Sequence, residues 1–213
     1  MDTKRTPFCI IEDHVGVAEA ISFAIEATHH MRTAGSFNSL KAARAGLVRC
    51  NPRVVVVDWR ITDGTGPTIV AEVKAALPEC RWLLYTATPD AFVLRAAINA
   101  GIHGAVSKGA PLDVLLRGVR ETADGHQFFC PEATRALQSV LLSATKIQQL
   151  NDTEIKLIRF IADGMEMKDA AFSAGIATKT AHNYLTGIRE KLGCASMVDI
   201  ATWAIRHGLA VGE

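Results

Sequence analysis

Arg53-Val54-Val55-Val56-Val57-Asp58 is the stretch whose reading decides the fold. Its four valines lie between Asn51-Pro52 and the Gly-rich Thr62-Asp63-Gly64-Thr65-Gly66-Pro67. A β-branched run so bounded reads as a strand buried on both faces. It ends in a carboxylate, and open α/β sheets gather their reactive groups outside the carboxyl ends of the strands. On this window alone, Asp58 could equally cap the loop or helix that follows.

Outward from this strand, the pattern alternates. On the N-terminal side, Phe8-Cys9-Ile10-Ile11 is a short apolar strand ending in Glu12-Asp13. Val15 to Ala27 carries a helical stripe through Val17, Ala20, Ile21, Ala24 and Ile25. Arg32 to Phe37 is a weak strand, and Ser39 to Val48 a helix capped by Asn38 or Ser39. On the C-terminal side, Thr65 to Leu77 is helical with Pro67 in its first turn. Trp82 to Thr86 is a strand, and Pro89 opens a helix closed by Gly101. Gly104 to Ser107 is a strand ending at Lys108, and Pro111 opens a helix to about Ala123. Strand and helix alternate five times, which predicts a parallel sheet with helices on both faces and right-handed crossovers.

Composition bounds the rest. A chain of 213 residues holds one large domain or two small ones at roughly 100–200 residues each. With 49% hydrophobic and 21% charged residues the chain is globular rather than disordered. A net charge of +1 argues against a protein that coats polyanions. Neither a signal-peptide pattern nor a membrane-spanning run is present, so the expected location is cytoplasmic, away from membranes. The five cysteines, at 9, 50, 80, 130 and 194, have no ligand-like spacing and read as small buried hydrophobes in a reducing cytosol. The seven histidines form no metal pattern, and His29-His30 reads as solvated.

In a parallel sheet the strand ends share one edge. Glu12, Asp13, Asp58, Thr86 and Lys108 therefore converge: three carboxylates, one hydroxyl and one ammonium. Crowded carboxylates repel unless a cation sits among them, and a hard divalent ion such as Mg²⁺ suits all-oxygen ligands. Asp58 is then the natural nucleophile for a phosphoryl group. Lys108 and the metal would neutralise the phosphoryl oxygens, and the Thr86 hydroxyl would donate to one. Taken singly, Thr86 reads as a strand-end hydroxyl, Lys108 as a surface amine, and Glu12-Asp13 as helix N-terminal acids. Jointly, these bland readings fail.

Residues 7 to 124 resemble the receiver domain of two-component response regulators. The resemblance is carried by Glu12-Asp13-His14, by Val57 to Gly66, by Tyr85-Thr86-Ala87 and by Gly101 to Lys108. It implies a flavodoxin-like, five-stranded parallel-sheet α/β domain. It also implies that Asp58 is the phosphoacceptor, and that Glu12, Asp13, Asp58 and the Arg60 main-chain carbonyl hold Mg²⁺. Three residues depart from the family pattern. Thr62 replaces a usual Pro, which should loosen that loop. Ala105 stands where an aromatic often reports the switch state, so coupling must use other groups. Arg60 is a long cation that could shield the phosphoryl group from water.

Asp124-Gly125-His126 breaks the last receiver helix, and Pro131 opens a helical stretch to about Leu142. Residues 125–146 read as a partly helical linker between a receiver at 1–124 and a second domain at 147–213, with packing as a sixth receiver helix as the alternative. In that domain, Asn151-Asp152-Thr153-Glu154 forms a capping box, and helices stop at Gly164, Gly175, Gly193 and Gly208. Thr178 is the expected cap of a helix from Lys179 to Leu192. The result is an all-α domain of four helices with a tight turn between the second and third, the helix-turn-helix arrangement.

By spacing, Lys179, Thr180, His182, Asn183, Thr186 and Arg189 form the polar side of the third helix, and Ala181, Leu185, Ile188 and Leu192 its core side. Seven bases face eight acids between 147 and 213, so nonspecific phosphate attraction is weak. Leu150 to Glu154, Ala162 to Gly164, Lys168 to Ala171, Gly175 to Ala181, Lys191 to Gly193 and Ala204 to Leu209 resemble the LuxR-type helix-turn-helix. The whole chain resembles a NarL/FixJ-type response regulator. That implies a sensor histidine kinase as phosphodonor, double-stranded DNA as target and a homodimer when active. It also implies phosphate contacts from Lys179 and Lys191 and groove-facing Ala181, His182 and Asn183. Thr153, His182 and Tyr184 stand where the family usually has Arg, Lys and His. Two other classes compete. An aspartyl-nucleophile phosphatase needs an acid two residues past Asp58, where Arg60 stands, so the expectation is a non-enzyme. A phosphorylation-independent DNA-binding or interaction module would use the receiver as a dimerisation scaffold.

Overall fold

The computed structural model of the protein describes residues 5–28, 30–207 and 209. His29 and Gly208, read above as solvated and as a helix stop, lie outside the described residues. The chain divides into two compact units, 1–137 and 138–213.

The first unit alternates as expected. Strand β1 (Thr6–Ile11) leads to α1 (Val15–Glu26), β2 (Met31–Phe37), α2 (Leu40–Cys50) and β3 (Val54–Asp58). A two-residue antiparallel ladder follows, β4 (Arg60–Ile61) against β5 (Gly64–Thr65). Then come α3 (Gly66–Val73), β6 (Arg81–Thr86), α4 (Ala91–Ala100), β7 (Gly104–Ser107) and α5 (Leu112–Ala123). The main sheet runs β2-β1-β3-β6-β7-β8, all parallel, where β8 is Phe128–Phe129. Five strands were expected and six are present. Phe128 and Phe129 escape a periodicity reading because two residues show no period, yet they pair with Gly104 and Ala105.

Strand β3 is the spine, and every residue from Val54 to Asp58 is buried. Neighbours on both sides and helices on both faces leave this strand no solvent to meet, which is why an unbroken valine run fits there. Two glycines permit close backbone approaches, Gly66 at the carboxyl edge and Gly104 at the start of β7. A Cβ on Gly66 would collide with the Asp58 carbonyl oxygen, and one on Gly104 with the Phe128 carbonyl oxygen. Local signals set the ends of α2 and α4. Ser39 and Asp90 accept from the N–H groups of Ala42 and Val93, and Gly101 closes α4 at φ 107°. Helix α3 ends at Val73 rather than Leu77, with turn residues carrying the chain to Pro78.

Helix α6 spans Pro131–Gln148, longer than the stretch to Leu142 read from sequence. Ala133 is buried in the receiver core, with Ala136 and Leu137 packed against it. The division between the compact units falls after Leu137, within this helix. In the second unit, α7 (Asp152–Ala162), α8 (Met167–Ser173), α9 (Thr178–Leu192) and α10 (Met197–Arg206) enclose a core of Leu157, Ile158, Ala181, Ile188 and Ile200. Both halves of the Asn151–Glu154 capping box form, and Ser196 with Asp199 makes another. Helix α9 starts one residue earlier than expected, with Ala177 rather than Thr178 at the cap and no side-chain bond there. All five cysteines are free. No helix among the described residues is long and apolar enough to cross a membrane.

Candidate functional site

The strand ends meet as the topology requires. Lys108, one residue past β7, places its Nζ 2.7 Å from Glu12 Oε2 beyond β1 and 2.7 Å from Asp58 Oδ2 at the end of β3. Residues distant in sequence thus form one ion cluster. Glu12 is 2% exposed and Asp58 7%. Burial lifts the Asp58 carboxyl above its ordinary range, although the hydrogen bond from Lys108 pulls it back. Burial also works against the Lys108 ammonium, but its bonds to Asp58 and Glu12 prevail and raise it above its usual value. The cluster is a charged pair with a second acid attached. The Trp59 N–H donates to Asp58 Oδ1 at 2.6 Å, so each Asp58 oxygen has one donor.

Asp13 lies beside this group. Its Oδ2 accepts from the Thr62 hydroxyl at 2.9 Å. Its Oδ1 is buried without a hydrogen bond. The His14 Nδ1 is 3.0 Å from that oxygen and 3.0 Å from Glu12 Oε1, but its bond goes to Glu12. Glu12, Asp13 and His14 offer ligand atoms all within 4.8 Å of one another. An orphaned buried carboxylate oxygen facing a second carboxylate is what a hard divalent cation would satisfy. The donor set therefore fits Mg²⁺. Arg60 begins β4 with its side chain exposed, two residues past Asp58.

Thr86 is buried at the end of β6, where its hydroxyl accepts from the Thr88 N–H at 3.3 Å. Ala105 is fully buried on β7. The loop holding Thr62, where the family pattern usually has a proline, is tied down by local bonds. The β4–β5 ladder closes it, and the neighbouring Asp63 carboxylate accepts from the Leu40 and Lys41 N–H groups at 2.7 and 2.9 Å. Those two N–H groups hold the Asp63 carboxyl below its usual range. Sequence reasoning missed the Thr62–Asp13 bond. It also missed the Trp59 ring, set edge-on to Phe92 of α4 at a centroid distance of 6.1 Å. An aromatic directly after Asp58 was the available signal.

In the second unit, α9 exposes Lys179, Thr180, His182, Asn183 and Thr186 along one face. The His182 Nδ1–H donates to the Thr178 carbonyl at 2.8 Å, which leaves Nε2 to face outward. Two expected DNA residues differ. Ala181 is 0% exposed and belongs to the core, as spacing alone indicates. Lys191 Nζ sits 2.7 Å from both oxygens of Glu154, itself 3% exposed, so that ammonium is engaged inside the domain.

Comparison with known proteins assigns a family to each part of the chain. Residues 8–120 match the response regulator receiver domain, and residues 148–204 match the luxR family of bacterial regulatory proteins. The chain is 27% identical over 199 residues to the DNA-binding transcriptional activator DevR/DosR of Mycobacterium tuberculosis, covering 92% of each. It is 26% identical over 156 residues to the activator EvgA of Escherichia coli, covering 73% of this chain and 76% of that one. Among solved structures, RcsB of Salmonella typhimurium superposes with a TM-score of 0.79 at 20% identity, covering 94% and 100% of the two chains. A structure of two RcsB dimers bound to two parallel DNAs gives 0.73 at 21% identity, covering 95% and 98%. The chain belongs to the response-regulator receiver family and, with its LuxR-type helix-turn-helix, is a response regulator of the NarL/FixJ type.

Proposed function

We propose that Asp58 accepts a phosphoryl group and that this modification governs sequence-specific DNA binding through α9. The observation that carries the reading is Lys108 Nζ bridging Glu12 Oε2 and Asp58 Oδ2, at 2.7 Å each, on the carboxyl edge of the sheet. Glu12, Asp13, Asp58 and the Arg60 main-chain carbonyl would hold Mg²⁺. When bound, the ion supplies positive charge against the phosphoryl oxygens.

The residues of the chain do the rest. An Asp58 oxygen bonds to phosphorus while the bond from phosphorus to the donor breaks, and the leaving atom keeps the electron pair. Lys108 favours the ionised Asp58 needed for attack and then pairs with the transferred group. The Thr86 hydroxyl accepts from Thr88, so its own proton is available to a phosphoryl oxygen. The donor is a sensor histidine kinase or a small phosphodonor. Phosphorylation can only favour a state in which the new oxygens find better partners, and that difference drives the response.

On this reading the protein acts in the cytoplasm as a transcription regulator of a two-component system and is not itself an enzyme. It binds double-stranded DNA as a homodimer. Lys179, Thr180, His182, Asn183 and Thr186 form the contact face, without Ala181 and Lys191. Support comes from the exposure of that face and from the relatives named as activators. The buried Ala105, which supplies no ring to report the switch, favours a second reading in which the receiver is a phosphorylation-independent dimerisation scaffold.

The test is selection of bound fragments from genomic DNA with and without beryllofluoride and Mg²⁺. Enrichment of a repeated motif only with beryllofluoride is expected, and Asp58→Asn should abolish that dependence. Equal enrichment in both conditions would leave the scaffold reading. No enrichment in either would overturn DNA binding.

A further inference from the structure

We infer that Thr62 is a positioning residue for the divalent cation, setting its affinity through Asp13. This rests on the reading of the acidic cluster as a Mg²⁺ site.

Asp13 is less enclosed than Glu12, with side-chain exposures of 19% and 2%. A carboxylate at such a place can rotate unless something holds it. Thr62 holds it, because its hydroxyl donates to Oδ2 at 2.9 Å. The other oxygen, Oδ1, is thereby fixed in a buried position without a hydrogen bond, 3.0 Å from the ring nitrogen that bonds Glu12 Oε1. One carboxylate oxygen is satisfied so that the other can be presented to a ligand, the arrangement found around metal sites whose ligands are oriented by outer hydrogen bonds.

The hydroxyl is itself held in place. Thr62 sits between β4 and β5, and the next residue, Asp63, accepts from the N–H groups of Leu40 and Lys41 at the start of α2. The orienting group is therefore anchored to a helix rather than carried on a free loop. A hydrogen bond between side chains this exposed adds little to folding, so its effect is on orientation.

The opposite sign is the competing physical reading. A hydroxyl on Oδ2 also withdraws a lone pair that a cation could use. The two effects predict opposite responses to Thr62→Val, which removes the hydroxyl and keeps the shape.

The experiment is a Mg²⁺ titration of the full chain followed by Trp59 fluorescence, with the Mg²⁺-dependent rise in Tm as a second readout. Circular dichroism establishes that each variant folds. Thr62→Val is expected to weaken Mg²⁺ binding about tenfold or more. Thr62→Ser, which keeps the hydroxyl, should restore affinity to within about twofold of the original. Unchanged or tighter binding by Thr62→Val would overturn the inference. So would a Ser variant as weak as the Val variant, since shape and not the hydroxyl would then matter. If the unaltered chain shows no saturable Mg²⁺ response in either readout, the cluster is not a Mg²⁺ site, and the inference falls with the reading beneath it.

Discussion

Lys108 and Lys191 are lysines placed beside buried glutamates, and their surroundings divide their tasks. Lys108 spans two carboxylates from different strands at an open edge, whereas Lys191 puts its whole charge on Glu154, which also caps α7 through the Asn151 N–H. Lys191→Met strands a buried carboxylate, which costs about 3–5 kcal/mol when no partner replaces the cation. Glu154→Gln leaves an ammonium that is 34% exposed and can reach water, so it should cost less. Urea unfolding with amide exchange read on α9 tests this order, and equal losses would refute it. His103 gives a pH dependence. Its Nδ1 accepts from the Trp82 N–H at 3.1 Å, and burial, with Arg81 nearby, pushes its pKa below 6.5. The unfolded chain therefore binds the proton more readily, so stability is full above about pH 6.5 and declines as pH falls from there toward the lowered folded value. The Tm difference between pH 7.5 and 5.5 should shrink in His103→Gln, which keeps an acceptor and cannot titrate. Glu12, Asp58 and Lys108 were legible in the sequence because topology alone brings strand ends together. The Thr62–Asp13 bond was not, since it joins residues 49 apart through a hairpin whose geometry no local pattern encodes.

At the scale of elements, the turn after β3 connects the acidic cluster to helix α4. Trp59 bonds Asp58 through its backbone and meets Phe92 through its ring, while Phe92 remains 49% exposed. With Ala105 buried and ringless, this pair is the aromatic contact that joins the turn beside Asp58 to an exposed helix face. An edge-to-face aromatic contact is worth about 0.5–1.5 kcal/mol, so Phe92→Ala should reduce the beryllofluoride-induced gain in DNA affinity by up to about tenfold. The rate of phosphorylation from a small donor should not change. A variant with full gain would show that Phe92 plays no part in that gain. Helix α9 shows how far spacing carries a reading. Its apolar positions predicted the burial of Ala181, Leu185, Ile188 and Leu192, whereas alignment by motif placed Ala181 in the groove. The period of a helix is a physical constraint on this chain, and a family position is not.

For the whole molecule, charge is the governing quantity. Seven bases against eight acids in residues 147–213 give α9 little long-range attraction, so affinity depends on specific contacts and, on the reading proposed above, on pairing two copies. Lys179→Ala should reduce the slope of log Kd against log salt by about one per protomer while leaving sequence preference intact. A changed preference would instead make Lys179 a base reader. Division of the chain was the least legible feature, because a two-residue strand has no period and the Ala/Leu-rich segment after Pro131 reads alike as linker or as core helix. That strand, β8, also shields the last long strand of the sheet: β7 pairs with β6 on one side and with Phe128-Phe129 on the other. A fragment cut after residue 124 would bare the N–H and C=O groups of Gly104 and Ala105 and uncover apolar surface beneath Cys130 and Ala133. An unpaired row of that kind is a template on which other chains add as strands. Recombinant receivers ending at residue 124 are thus expected to self-associate into β-rich aggregates, and those ending at residue 137 to stay monodisperse.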